Sequence, residues 1–202
     1  MKEKVAILIL TEAPKPGSDQ PDPLLAMVDG QDLLTQVIRR ACATGFPVFV
    51  TIGTDVMERG QAIAHEPITI VPIPSDRTDI SATLRAGINS LPEGLNGALV
   101  MLANMPNLTQ DDLSTLLTHF AEVGSNLAVS ATDKSGHPGH PVILPSRLFP
   151  YAKHLSGDQS ARSLLHSESI SLVKLENGHA NTDMDRPENW VSWRADGDAE
   201  GP

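Results

Sequence analysis

The sequence predicts an α/β layer fold built on a mainly parallel sheet, and three observations predict it. Two unbroken apolar runs, Val5-Ala6-Ile7-Leu8-Ile9-Leu10 and Gly97-Ala98-Leu99-Val100-Met101-Leu102-Ala103, have the pattern of strands buried on both faces. Other segments carry apolar residues at helical spacing. Strands and helices alternate along the chain, as crossovers between parallel strands require.

Taken in order, residues 5–10 form the first strand. Residues 11–23 contain Pro14, Pro16, Pro21 and Pro23 with Gly17, Ser18 and Asp19, a composition that excludes helix and strand and suits a long exposed loop. Leu33, Leu34, Val37, Ile38 and Ala41 then recur at helical spacing until Gly45-Phe46-Pro47 stops them. Residues 47–53 read as the second strand and 68–73 as a third, whose prolines place it at a sheet edge. Residues 82–91 read as a helix, and 97–103 as the buried strand that ends at Asn104-Met105-Pro106. Thr109 and Asp112 make a Thr-x-x-Asp capping box, from which Leu113, Leu116, Leu117 and Phe120 carry an apolar face to Gly124. Further strands are expected at 126–130, 141–144 and 171–175, and a short helix at 160–166 started by Asp158 or Ser160. Residues 194–202 are small, acidic and poor in apolar side chains, so they read as a frayed tail that leaves 1–193 as one domain. No internal repeat is visible.

Composition bounds the function. The 202 residues, 40% of them hydrophobic, suffice for one sizeable core. With 15 Lys+Arg against 25 Asp+Glu, the net charge of -10 argues against binding to a nucleic-acid backbone. The apolar runs fall far short of a membrane span, and residues 1–10 have no cleavage site, so a soluble, unexported, cytoplasmic chain is expected. The single cysteine, Cys42, permits no internal disulfide and reads as core packing.

In an open α/β sheet, ligands bind beyond the carboxyl ends of the strands, which directs attention to the loops after Leu10 and after Ala103. The first offers Lys15 and Gly17 among prolines that lack amide donors, with Glu12, Asp19 and Asp22 opposing an anion. The second opens on Asn104, a neutral oxygen where a carboxylate would better hold Mg2+. His137-Pro138-Gly139-His140 has no companion Cys or acidic cluster at zinc spacing.

Gly139-His140-Pro141-Val142, the segment from Gly157 to Leu165 and the segment from Asp183 to Asn189 together resemble motifs of the MobA-like nucleotidyltransferases, and within them the molybdenum cofactor cytidylyltransferases of the MocA type. Gly139-His140-Pro141-Val142 is similar to that family's Gly-His-Pro-Val segment. Gly157-Asp158-Gln159-Ser160-Ala161-Arg162-Ser163-Leu164-Leu165 resembles its Gly-Asp-x-Gly-Ala-Arg-x-Leu-Leu, and Asp183-Met184-Asp185-Arg186-Pro187-Glu188-Asn189 its closing Asp-Ile-Asp-Thr-Pro-Glu-Asp. Upstream, the segment from Asp79 through Ser81, Thr83 and Leu84 to Gly87 matches Gly-Met-x-Ser-Ser-Leu-x-x-Gly, and Leu102-Ala103-Asn104-Met105-Pro106 matches Leu-Gly-Asp-x-Pro. The likeness implies a three-layer α/β/α, Rossmann-like nucleotidyltransferase fold of the glycosyltransferase-A kind. It also implies transfer of a nucleoside monophosphate from an NTP, CTP or GTP with CTP favoured, to the terminal phosphate of molybdopterin with Mg2+.

Carried over by the resemblance, Ser81 and Thr83 would face the nucleotide, Asn104 and Asp185 the metal, and His140, Asp158 and Arg162 the acceptor, with Asp185 catalytic; Lys15, the cation that the loop after Leu10 itself offers, would also face the nucleotide. Each has a plainer reading: Asp183 and Asp185 as turn caps, His140 as a loop residue bonded to backbone, Asp158 as a helix cap and Arg162 as its ion-pair partner. Ser81 and Thr83 beside Asp79 also make an ordinary helix start. The departures gather in the nucleotide half. The family's opening Leu-Ala-Ala-Gly-x-Ser-x-Arg-Met-Gly-x-x-Lys is met by Leu10-Thr11-Glu12-Ala13 and the proline-rich loop, with Pro23 in place of the Lys. Asn104 replaces the metal-binding Asp, and Asp79 the opening Gly of the base segment. The expectation is therefore a nucleotidyltransferase relative with reduced or lost competence. The alternatives are a non-catalytic pterin-cofactor-binding or accessory protein that partners a molybdoenzyme or maturation factor, and an active enzyme that uses Lys15 and Asp185 in a rearranged site.

Overall fold

The computed structural model describes residues 4–12, 21–75, 79–132, 136–155, 164–165, 168–175 and 180. The expected helix at 160–166, apart from Leu164 and Leu165, lies outside them, as does the expected tail at 194–202. Strand β1 (Val5–Leu10) is buried along its whole length. Its side chains alternate: Val5, Ile7 and Ile9 enter one apolar layer, and Ala6, Leu8 and Leu10 the other.

Among the described residues eight more strands follow in chain order, with β2 (Met27–Val28) and β3 (Gln31–Asp32) forming a small hairpin. The others are β4 (Val48–Gly53), β5 (Thr69–Ile73), β6 (Gly97–Leu102), β7 (Ala128–Thr132), β8 (Pro138–Pro145) and β9 (Ile170–Lys174). Apart from the hairpin they form one seven-stranded sheet in the order β5-β4-β1-β6-β8-β7-β9. Strand β8 runs antiparallel to both its neighbours, and the remaining pairs are parallel. Strand β5 stands at the edge, where Pro72 fits a position that need not donate a ladder bond.

Helices α1 (Leu33–Ala43), α2 (Met57–Ala62), α3 (Ile80–Ser90), α4 (Gln110–Glu122) and α5 (Phe149–Ala152) cover the sheet. Helices α1 and α4 pack on the face that receives Ile7 and Ile9, and α3 and α5 on the face that receives Leu8 and Leu10, giving three layers. The packing is close where small residues require it. A Cβ on Gly87 of α3 would stand 2.6 Å from Leu8, and one on Gly97 of β6 would stand 2.7 Å from the Phe120 ring and 2.9 Å from the Leu144 carbonyl. Cys42 is half-buried against the first layer. The Thr109 and Asp112 capping box closes in both directions and starts α4.

Several boundaries differ from the sequence reading. The expected strands at 126–130 and 141–144 lie at Ala128–Thr132 and Pro138–Pro145, because pairing with β6 and β9 decides where they begin and end. The segment expected to be an exposed loop at 11–23 is anchored at both ends: Thr11 is buried, and Asp22 caps a 3-10 turn at Pro23–Leu25 that buries Leu24. The hairpin after it was unanticipated although Asp29-Gly30 is a strong hairpin signal; both residues take positive φ, 50° and 79°. Helices α2 and α5 are too short for periodicity to reveal them.

Candidate functional site at the carboxyl ends of the central strands

The chain leaves β1 for β4 on one side and returns to β6 on the other, so the sheet order reverses between β1 and β6. Crevices open at such a point because successive loops diverge to opposite faces. The two strands stay laced up to the divergence, where the Ala103 amide donates to the Leu10 carbonyl at 2.9 Å. Beyond it, the Thr11 amide donates to Thr51 Oγ1 of β4 at 3.0 Å, and the Thr11 hydroxyl donates to the Thr51 carbonyl.

Several of the described segments are held by buried or half-buried polar side chains. Arg59 of α2 grips Asp22 with two donors, Nε to Oδ2 at 2.6 Å and Nη2 to Oδ1 at 2.9 Å, and donates Nη1 to the Glu12 carbonyl at 2.6 Å. On α1, Gln36 donates to the Val28 carbonyl of the hairpin, and Arg40 donates to the carbonyls of Pro106 and Leu108 beyond β6. Burial lowers the Arg40 pKa, opposed by the charge of Asp29. Arg85 of α3 donates to the Leu155 carbonyl.

The remaining described arginines bond elsewhere, Arg39 to Glu66 and Arg147 to Glu168 and the Asn126 carbonyl. Among the described residues, every arginine is thus engaged by a protein acceptor.

The base-segment residues open α3. Asp79 is its N-cap and accepts the Ala82 amide at 2.8 Å, while the Ser81 hydroxyl donates to Asp79 Oδ1 and the Thr83 hydroxyl to the Asp79 carbonyl at 3.1 Å. Ser81 and Thr83 are both buried, their hydroxyls turned back into the helix start. The Ser81 hydroxyl first, and then the Ala82 amide, hold the Asp79 carboxyl below the usual range.

Asn104 is half-buried at the end of β6. His140 stands in β8 two residues beyond the Val100–Val142 pair, hence at the same rim, with Nδ1 3.5 Å from the Val100 carbonyl oxygen. The pairing of β8 with β7 jumps there from Val142 to Gly139, so His140-Pro141 form a bulge. Buried Ser130 holds that bulge, donating to the Gly139 carbonyl at 2.8 Å and accepting the Gly139 amide at 3.2 Å. Lys15, Asp158, Arg162, Asp183 and Asp185 lie outside the described residues. Sequence reading missed Arg59, Arg40 and Ser130. Each acts on partners distant in the chain, so no local pattern marks it.

Asn104 contributes a neutral amide at the strand end, and no cluster of three His, Cys, Asp or Glu stands close enough among the described residues to hold a metal ion. No helix there is long and apolar enough to cross a membrane.

Residues 17–173 match the model of the MobA-like NTP transferase domain. Over 100 residues the chain is 32% identical to the purine catabolism protein PucB of Bacillus subtilis strain 168, covering 48% of this chain and 46% of that protein. The chain thus spans about half the length of that relative. The Rv0371C manganese complex of Mycobacterium tuberculosis H37Rv superposes with a TM-score of 0.76 at 18% identity, over 94% of this chain and 97% of that one. Molybdopterin-guanine dinucleotide biosynthesis protein A of Archaeoglobus fulgidus superposes at 0.72 with 11% identity, over 96% and 99% of the two chains. At these identities the two structures establish the shared Rossmann-like architecture. With the domain model matched across most of its length, the chain belongs to the MobA-like NTP transferase family.

Proposed function

We propose that this domain is a relative of the MocA-type cytidylyltransferases that takes a nucleoside triphosphate, CTP before GTP, and a molybdopterin-like acceptor, with weakened capacity for transfer. The nucleotide would enter where the loops after β1 and β6 diverge, and the acceptor would meet the side carrying His140. Phosphoryl transfer asks the protein mainly for positioning and for cations around developing charge. The observation that carries the reading is the engagement of every described arginine by carboxylates and carbonyls of the protein itself. In this reading Lys15 is left to meet the triphosphate, Asp185 joins Asn104 toward a cation, and Asp158 and Arg162 meet the acceptor. The helix start at Asp79, Ser81 and Thr83 forms the base side. Residues 1–193 act as one domain, followed by an acidic tail.

The same arginine engagement favours a second reading, in which the chain holds a pterin cofactor for a molybdoenzyme or maturation factor and transfers nothing. Titration calorimetry with CTP, GTP and ATP, with and without Mg2+, separates the two. Weak binding with CTP preferred is expected. Absence of both heat and thermal shift at millimolar nucleotide refutes the transferase reading, and molybdopterin binding without nucleotide then supports the second. Asn104→Asp should strengthen Mg2+ binding about tenfold by adding a carboxylate to the strand end. Unchanged affinity in the folded variant removes that strand end as a metal site.

A further inference from the structure

Nothing in the local sequence distinguishes Arg59, which stands between Glu58 and Gly60 on the six-residue helix α2. Its side chain is nevertheless only 3% exposed, and its three bonded acceptors belong to the two described ends of a single segment, Glu12 and Asp22. The Arg59 to Asp22 bond spans 37 positions and the bond to Glu12 spans 47. An exposed ion pair contributes little, but a buried guanidinium that meets both oxygens of a carboxylate fixes distance and orientation together.

Both ends then connect inward. Asp22 Oδ1 also accepts the Leu24 amide at 3.0 Å, and Leu24 is buried in the core. Glu12 follows Thr11, whose amide and hydroxyl bond to buried Thr51. Arg59 therefore closes a bracket around the segment that leaves β1, with α2 as its fixed point.

We propose that Arg59 is the positioning residue of the crevice above β1, and that Asp22 is the internal anion through which it sets the ends of the post-β1 segment before any ligand arrives. The ligand-dependent part rests on the nucleotide reading above; the positioning itself does not.

The test uses the full chain without ligand, measuring amide exchange in the unaltered protein, Arg59→Met and Asp22→Asn. Arg59→Met should speed exchange of the Thr11, Leu24 and Leu25 amides about tenfold or more while Leu99 and Val100 in β6 change far less. Asp22→Asn retains an oxygen for the Leu24 amide and should loosen the same amides to a smaller extent; it serves alone if Arg59→Met does not fold. Unaltered exchange at those amides in a folded variant overturns the proposal.

Calorimetry with CTP follows. The Kd should rise about tenfold in Arg59→Met, a loss of about 1.4 kcal/mol, but stay near its original value in Phe120→Ala, a core variant remote from the rim. A loosened segment with unchanged CTP affinity overturns the link to the crevice. Absence of CTP binding by the unaltered protein refutes the nucleotide reading, and the exchange result still decides whether Arg59 positions the segment.

Discussion

Strand β1 and the segment that leaves it are held by different physics. From Val5 to Leu10 every residue is buried, and the alternating side chains supply both apolar layers. Full burial of each large aliphatic side chain stabilises by about 1.5–3 kcal/mol and needs only shape and apolarity. One residue further on, attachment passes to specific polar contacts: Thr11 to Thr51, Arg59 to Glu12 and Asp22, and Arg40 to the carbonyls beyond β6. The first kind of hold is diffuse and tolerant; the second depends on a few atoms. A sheet of the first kind keeps its architecture under many apolar substitutions, whereas the rim contacts depend on the identity of single polar residues.

The comparison breaks most severely in the core. Phe120 is fully buried on α4, so Phe120→Ala should cost about 3–5 kcal/mol and lower the urea midpoint while leaving CTP affinity in the folded protein nearly unchanged. An equal loss of affinity would mean that the core and rim are not separable.

A rim substitution should act the other way. Arg40→Met leaves the Pro106 and Leu108 carbonyls without that donor, and the expected cost is about 1–3 kcal/mol with faster proteolysis at residues 104–108. Cleavage at the original rate would show that packing holds this loop.

The smallest effect is expected at the start of α3, where Asp79→Ala removes a helix cap worth about 0.5–2 kcal/mol. Because the folded Asp79 carboxyl is held below its ordinary range, its contribution is whole above the usual aspartate pKa of about 4 and disappears as the pH falls through the lower folded value. The Tm difference between the two proteins should therefore be largest near neutrality and narrow in acid; a constant difference would separate the cap from its charge.

Legibility followed the same division. The buried runs at β1 and β6 and the capping box of α4 can be read because each signal is local and repeated. The hairpin at Asp29-Gly30 carried a readable signal that the surrounding prolines obscured. Strand β8 showed its apolar centre but not its direction, since a strand's partner is chosen elsewhere in the chain. At the rim, the loops after Leu10 and Ala103 followed from the general rule for open sheets, whereas Ser130 supporting the Gly139 bulge did not, because the two residues meet only through strand pairing.

The sequence by itself determined the layer architecture and the family likeness, since periodicity and motif order are properties of the linear chain. Only the tertiary structure decided which cations were already committed. Arg59 meets Asp22 across 37 positions, and Arg40 meets Leu108 across 68. A charge's role depends on the neighbours that desolvate and bond it, and for these arginines those neighbours are brought together by the sheet.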